Sequence, residues 1–135
     1  KDFIKPFTVA HQYISTCASV ISQKAAISAF GNKGTNSLNS MRKTLKRNNR
    51  LAVRLLSECS AIEKIIAPDA APYLFVKINQ NDLDFCKKAA QKGVIVIPGS
   101  AFGKNSCGYI RISTALCEKR LKTGLKRLIK TLKEK

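Results

Sequence analysis

The sequence lacks several features that mark particular classes of protein. It contains no tryptophan and one histidine, and no stretch approaches the roughly 18–20 uninterrupted apolar residues of a membrane span. Its start carries no secretory signal pattern. The five cysteines are scattered and are never spaced as C-x-x-C, so neither a metal site nor a disulfide framework is expected. This cysteine usage predicts a reducing compartment, and we expect the cytoplasm.

Acidic residues are also scarce. The chain has 25 lysines and arginines against 8 aspartates and glutamates, which gives a net charge of +17. Such an excess is typical of proteins that bind nucleic acids. The aromatic residues are few, however, and they do not alternate with the basic runs, so a platform for base stacking is missing. A basic nucleic-acid-binding module is therefore an alternative interpretation, and a structural domain without chemistry is another.

Hydrophobic spacing predicts helices in the first half of the chain. Residues 1–30 are expected to form two helical pieces that break at residues 15–19, where small and hydroxyl side chains accumulate. Gly31 and Gly34 are predicted to end the second piece. A long helix is expected over residues 36–66, with its many basic side chains facing solvent.

Two further helices are predicted in the second half. At residues 81–92 we expect Leu83 and Cys86 to face the core, with Phe85 at the margin. An amphipathic helix is expected over residues 116–135. Its predicted core-facing side chains are Leu121, Leu125, Leu128 and Leu132.

Runs of β-branched and aromatic residues predict three strands, at Tyr73–Ile78, at residues 94–97 and at Tyr109–Ser113. The segment between the last two is too short for a crossover helix, so these strands are expected to be antiparallel. Together the elements predict one domain over residues 1–135 with an α/β fold of the α+β type. In this fold a small, mostly antiparallel sheet packs against helices.

The stretch over residues 93–115 carries the clearest chemistry. In the strand Tyr109–Ser113, Ile110 and Ile112 point one way and Arg111 points the other, beside a loop rich in glycine and serine. An arginine held on a strand can present two N–H donors to a carboxylate or a phosphate. The alternative is an arginine on the solvent-exposed face of an edge strand.

The letters PGSAFG followed by GYIRIS resemble the C-terminal signature of class I pyridoxal-phosphate aminotransferases, the aspartate aminotransferase-like group of fold type I. The resemblance implies that Arg111 binds the α-carboxylate of an amino-acid substrate, with Phe102 and Gly103 shaping the adjacent wall. The alternative roles are a loop packing residue for Phe102 and a turn glycine for Gly103. The segment 68–73 departs from the family pattern P-x-G-A-F-Y, so no substrate contact is carried over from it.

The letters HQYIST and SVISQKAAISAF are also similar to the family pattern, and they imply a position near a subunit boundary. Ser15, Thr16 and Ser19 are therefore candidates for contacts to a partner subunit of a homodimer. Their alternative role is a helix cap and a bend.

The resemblance as a whole implies the C-terminal small domain of an aminotransferase, with residues 1–30 at the junction with a large domain. Such an enzyme moves an amino group between an amino acid and a 2-oxo acid, using pyridoxal 5'-phosphate as cofactor. In the family, the lysine that carries the cofactor precedes the small domain, and no S-K-x-x-x-x-x-G-x-R segment occurs here. No catalytic or cofactor-binding residue is therefore expected in this chain, and the chain alone is expected to be inactive.

Overall fold

The computed structural model describes residues 2–69 and 71–134, so Lys1, Ala70 and Lys135 of the predicted segments lie outside the described residues. The chain divides into two compact units, one ending at Met41 and one beginning at Arg42. No helix in the described part is long and apolar enough to cross a membrane. The elements in chain order are helices α1 (Ile4–Ile14), α2 (Val20–Phe30) and α3 (Asn32–Ser57), strands β1 (Ile62–Ile66) and β2 (Tyr73–Ile78), helix α4 (Asp82–Gln91), strands β3 (Ile97–Pro98) and β4 (Tyr109–Ser113), and helix α5 (Glu118–Lys133).

The first unit consists of helices without a core of their own. Helix α1 ends at Ile14 and α2 begins at Val20, which confirms the break predicted between them, and neither helix contains a buried residue. Gly34 lies inside α3, so its predicted role as a stop signal is wrong. A Cβ at Gly34 would lie 1.9 Å from the carbonyl oxygen of Ala29, so the glycine permits a close backbone approach.

The long helix predicted over residues 36–66 is wrong at both ends. Helix α3 begins earlier, at Asn32, and ends at Ser57, while Ile62–Ile66 forms the strand β1. A turn separates them, in which the Cys59 N–H donates to the carbonyl of Leu56 at 3.0 Å. Short apolar runs fit a helix and a strand equally well, and here the three isoleucines of β1 pair with β2. Long-range pairing therefore overrides the local pattern.

The four strands form one antiparallel sheet in the order β1-β2-β4-β3. The predicted antiparallel pairing and the α+β fold class are confirmed. The strand predicted at residues 94–97 is wrong over most of its length, because β3 contains only Ile97–Pro98. The Val94 N–H donates instead to the carbonyl of Ala89 at 2.9 Å, and thus closes the end of α4.

Strand β4 lies in the interior of the sheet, between β2 and β3. The alternative that placed Arg111 on an edge strand is therefore wrong. In the register of the sheet, Arg111 is opposite Phe75 of β2 and opposite Ile97 of β3. The arginine is thus flanked by backbone on both sides.

One face of the sheet packs against α3, α4 and α5. The four predicted leucines of α5 are buried there, as expected. The predicted inner face of α4 is confirmed at Cys86, which packs against the core, but it is wrong at Leu83, which is 49 % exposed. Phe85 is buried rather than marginal. Positions 82, 85 and 89 also follow helical spacing, and the large ring of Phe85 fills the core from that side. The strand side chains buried on this face are Leu74, Val76, Ile78, Ile110 and Ile112.

A buried amide joins α3 to the end of β4. Asn48 is fully buried, and its Nδ2 donates to the carbonyls of Thr114 at 2.9 Å and Leu116 at 2.8 Å. The neighbouring Asn49 donates to the carbonyl of Ala71 at 3.1 Å. Asn48 interrupts the apolar stripe of the helix because it satisfies backbone groups of the chain that leaves the sheet.

Candidate functional site

The loop between β3 and β4 consists of two short 3-10 turns, Gly99–Phe102 and Lys104–Ser106. A Cβ at Gly99 would lie 2.1 Å from the carbonyl oxygen of Ser106, so only glycine allows the loop to fold back this closely. Gly103 has a φ of 118°, a backbone conformation that favours glycine. Both glycines thus shape the loop that carries Phe102.

A buried carboxylate fixes this loop to helix α4. The backbone N–H of Ser100 donates to Oδ2 of Asp82 at 2.8 Å, and Asp82 is 4 % exposed. Burial alone would raise the pKa of Asp82, but hydrogen bonds from Ser100 and Gly108 outweigh it and hold the pKa below its ordinary value. Asp82 therefore stays ionised at neutral pH and keeps the loop in place.

The other face of the sheet carries a group of aromatic side chains. The Phe75 ring stacks on Tyr109 with centroids 4.9 Å apart, and it meets Phe102 edge-on at 6.0 Å. The guanidinium carbon of Arg111 lies 4.6 Å from the Tyr73 ring centroid and 5.0 Å from the Phe102 ring centroid. Two rings thus contact the half-buried guanidinium, both within the range of cation–π attraction.

The guanidinium of Arg111 forms no hydrogen bond or ion pair with any residue that the structure describes. Lys77, on the same sheet face, forms an ion pair with Glu63, with 3.1 Å between Nζ and Oε2. The acidic partners of the other ion pairs lie elsewhere, as in the contact between Arg47 and Glu118 at 3.4 Å. The N–H donors of Arg111 therefore remain available to an anion from outside these residues.

The structure brings Arg111 and Phe102 together. Gly103 follows Phe102 in the chain, and a Cβ built on it meets nothing within 4 Å, so its place in the wall stays a prediction. Sequence reasoning missed Tyr73 and Phe75. Alternation along YLFVKI puts both on one face, but only the pairing of Phe75 with Arg111 shows that this is the face of the arginine. Ser15, Thr16 and Ser19 are exposed in the first unit, and their predicted contacts stay a prediction.

Other groups that can carry chemistry are limited. In residues 2–69 and 71–134, no three histidine, cysteine, aspartate or glutamate side chains gather into a group that could hold a metal ion. Burial, together with the negative charge of Asp82, raises the pKa of Cys86 to about 11. The Cys86 thiol is therefore protonated at neutral pH, which is unsuitable for a nucleophile.

A separate basic cleft of about 770 Å³ lies between α3 and the segment that leads into β2. One aspartate, Asp69, also lines it. Arg111 does not line this cleft, so cleft and arginine are different parts of the second unit. The basic side chains that line the cleft are Arg42, Lys46, Arg50 and Arg54.

Comparison with known proteins identifies the family. The family described as "Aminotransferase class I and II" matches residues 7–128. A probable N-acetyl-LL-diaminopimelate aminotransferase of Bacillus subtilis (strain 168) is 36 % identical over 132 residues, which are 95 % of this chain and 33 % of that protein. An aspartate aminotransferase of Pyrococcus abyssi is 33 % identical over 128 residues, covering 91 % of this chain and 32 % of that protein.

Solved structures agree with this assignment. The aromatic aminotransferase of Pyrococcus horikoshii OT3 superposes with a TM-score of 0.80 at 31 % identity, covering 91 % of this chain and 34 % of that one. The aspartate aminotransferase of Thermotoga maritima gives a TM-score of 0.75 at 30 % identity, covering 93 % and 31 %. This chain spans about a third of the length of these relatives. It belongs to the class I and II aminotransferases, and it corresponds to the C-terminal domain of the fold type I enzymes.

Proposed function

We propose that the protein carrying this chain transfers an amino group between an amino acid and a 2-oxo acid, and that Arg111 binds the α-carboxylate of the substrate. The observation that supports this role is the guanidinium of Arg111, which contacts two rings while its donors engage no described residue. Family membership supports the reaction class. The relatives differ in the substrates that their names state, so the proposal covers amino acids as a class.

Arg111 suits a carboxylate because its planar fork matches the two oxygens in a bidentate pair. Its position on an interior strand limits the movement of its backbone, so the bound carboxylate has a defined direction. Partial burial strengthens the charge–charge attraction relative to water. Phe102 and the backbone of Gly103 form the adjacent wall, beside which the substrate would lie.

Pyridoxal 5'-phosphate, when bound, supplies the electron sink for the reaction. A lysine that carries such a cofactor needs a lowered pKa. Lys77, on the sheet face that holds Arg111, has its pKa raised by the hydrogen bond to Glu63 and by the charge of Glu63. We assign no cofactor-binding residue to this chain, because its sequence contains no S-K-x-x-x-x-x-G-x-R segment. The cofactor-holding residues belong to other parts of the protein in this proposal, and the chain alone is inactive.

The proposal includes the quaternary and cellular setting that the family implies. The active form is a homodimer in the cytoplasm, in which Ser15, Thr16 and Ser19 reach the partner subunit. Support comes from the exposed apolar side chains of α1 and α2, such as Phe7 of α1 at 72 % and Phe30 of α2 at 90 % exposure. Exposed apolar surface of this kind is typical of a site that another protein surface covers.

The test is the substitution Arg111→Lys in the full-length protein, assayed with L-aspartate and L-phenylalanine as amino donors and 2-oxoglutarate as acceptor. Lysine keeps the charge but loses the fork. Losing a charge-assisted hydrogen bond costs about 1.5–3 kcal/mol, so we expect the KM of the active donor to rise roughly ten- to hundredfold. The matched control is Arg120→Lys, at an exposed position of α5. An unchanged KM in Arg111→Lys removes Arg111 from the site.

A nucleic-acid-binding role is the second candidate, and the basic cleft beside α3 favours it. Four basic side chains and one acidic side chain line that cleft. Binding of this kind weakens steeply with salt, because each neutralised phosphate releases a counterion. A titration with a fluorescent single-stranded oligonucleotide at two salt concentrations tests it. Affinity that is absent at low salt rules this role out.

A further inference from the structure

We propose that Tyr73 and Phe102 are positioning residues that hold the guanidinium of Arg111 and leave its N–H donors free for a carboxylate. This inference rests on the carboxylate-binding role proposed above. It adds Tyr73, to which the sequence assigns no role, and it gives Phe102 a function through the arginine rather than through the substrate.

The geometry is the first support. The guanidinium carbon of Arg111 lies 4.6 Å from the centroid of Tyr73 and 5.0 Å from that of Phe102, and both values are within about 6 Å. An aromatic ring attracts a cation through the negative potential of its face. It offers no lone pair in the guanidinium plane, so the attraction uses none of the N–H donors.

The contrast with Lys77 is the second support. Lys77 and Arg111 point to the same face of the sheet, from β2 and from β4. An acidic partner, Glu63, lies 3.1 Å from the lysine. Among the described residues, the arginine contacts rings instead of acids. A carboxylate beside Arg111 would compete with the substrate for the same donors, whereas a ring orients the cation without competing.

The third support is that the backbone that carries each ring is held in place. Tyr73 belongs to an interior strand and pairs with Ser113 of β4. Phe102 ends the turn that begins at Gly99, and the hydrogen bond from Ser100 to Asp82 ties that turn to α4. A guanidinium that already contacts two rings loses less rotamer freedom when the substrate binds.

The two rings are 43 % and 50 % exposed, so direct contact between the rings and the substrate side chain is the rival explanation. The two explanations differ in their dependence on the substrate. A residue that positions Arg111 affects every amino acid equally, because every amino acid has the same α-carboxylate. A residue that contacts the substrate side chain affects aspartate and phenylalanine differently.

The experiment replaces each ring by Tyr73→Leu and Phe102→Leu in the full-length protein, with the ring-preserving variants Tyr73→Phe and Phe102→Tyr as matched controls. We expect each leucine variant to raise the KM for every accepted amino donor by about fivefold and by the same factor. The kcat should stay within about twofold of the starting protein, and the ring-preserving variants should retain its KM. If a leucine variant does not fold, the corresponding methionine variant replaces it, since methionine keeps the bulk without a ring face.

The outcomes separate this inference from the proposed function. If Arg111→Lys raises KM and both leucine variants leave it unchanged, the positioning role is wrong and the carboxylate-binding role stands. A KM change that differs between aspartate and phenylalanine also overturns the positioning role, in favour of direct contact. If Arg111→Lys itself leaves KM unchanged, the carboxylate-binding role of Arg111 fails, and the positioning role fails with it. In an Arg111→Lys background the ring variants should add little, because their effect passes through the arginine.

Discussion

On strand β4, Ile110 and Ile112 point into the core and are buried, whereas Arg111 between them lies half-buried on the opposite face against Tyr73 and Phe102. The core face packs against three helices, and it requires only apolar side chains of suitable volume. The arginine face requires particular partners at particular distances. Substitutions on the core face should therefore change stability, and substitutions on the arginine face should change binding.

The largest effect on stability is expected from Leu74→Ala. Leu74 is fully buried on the core face of β2. Removing its side chain loses apolar burial and leaves a cavity, which costs about 2–5 kcal/mol. Urea unfolding of the variant and of the starting protein measures the difference in their free energies of unfolding. The matched control is Ile66→Ala, at a 45 % exposed position of β1, for which we expect a smaller loss. Equal losses at the two positions would contradict this account of the core.

The next largest effect is expected from Asn48→Ala. The side chain of Asn48 donates to the carbonyls of Thr114 and Leu116, which lead the chain away from the arginine strand. Alanine leaves both acceptors without this donor in a buried place, at a cost of about 2 kcal/mol. Thermal unfolding should show this loss, while Asn39→Ala, on the exposed part of α3, should leave the midpoint unchanged. A variant as stable as the starting protein would show that solvent satisfies the two carbonyls.

These residues also show which parts of the structure the sequence could predict. The four leucines of α5 and the strands β2 and β4 were predicted correctly, because their patterns are local and regular. Strand β1 was predicted as helix, since three isoleucines in five residues fit either pattern. Its correct assignment depends on pairing with β2, a contact between residues that are distant in the sequence.

The candidate site was predictable in part for a similar reason. Alternation along β4 and the resemblance of PGSAFG and GYIRIS to a known family identified Arg111, Phe102 and Gly103. The contribution of Tyr73 was missed, because it depends on the register between β2 and β4 and on the path of the loop. A single sequence contains no direct information about register when the strands lie 30 or more residues apart.

A smaller and pH-dependent effect is expected from Asp82→Asn, which acts on the loop behind the arginine. At neutral pH the variant lacks the negative charge of the carboxylate that accepts the hydrogen bond from the Ser100 N–H. We expect its free energy of unfolding to be lower by about 1–2 kcal/mol. Because the pKa of Asp82 is lowered in the folded state, its stabilisation is complete above the ordinary carboxyl pKa of about 4 and disappears as the pH falls through the lower folded-state value.

The measurement is urea unfolding of both proteins from neutral pH downwards, and the stability difference should shrink as the acid limit is approached. Asp84→Asn is the matched control, since Asp84 lies in the first turn of the same helix but is 77 % exposed. A difference between Asp82→Asn and the starting protein that does not depend on pH would mean that Asp82 acts through its shape alone.

The smallest effect is an increase in stability, expected from Gly124→Ala in α5. A Cβ at Gly124 meets nothing within 4 Å, whereas a Cβ at Gly99 in the loop beside the arginine would lie 2.1 Å from a carbonyl oxygen. Alanine lowers the entropy of the unfolded chain and favours the helix, so Gly124→Ala should add about 0.5–1 kcal/mol to the free energy of unfolding.

Gly99→Ala should instead destabilise the loop and raise the KM of the amino donor. The same substitution therefore has opposite effects in the two regions. In α5 there is open space for the added Cβ, whereas in the loop the added Cβ would collide with the backbone of Ser106. If Gly99→Ala leaves KM unchanged, the loop can move without moving the arginine, and the position of Arg111 does not depend on this loop.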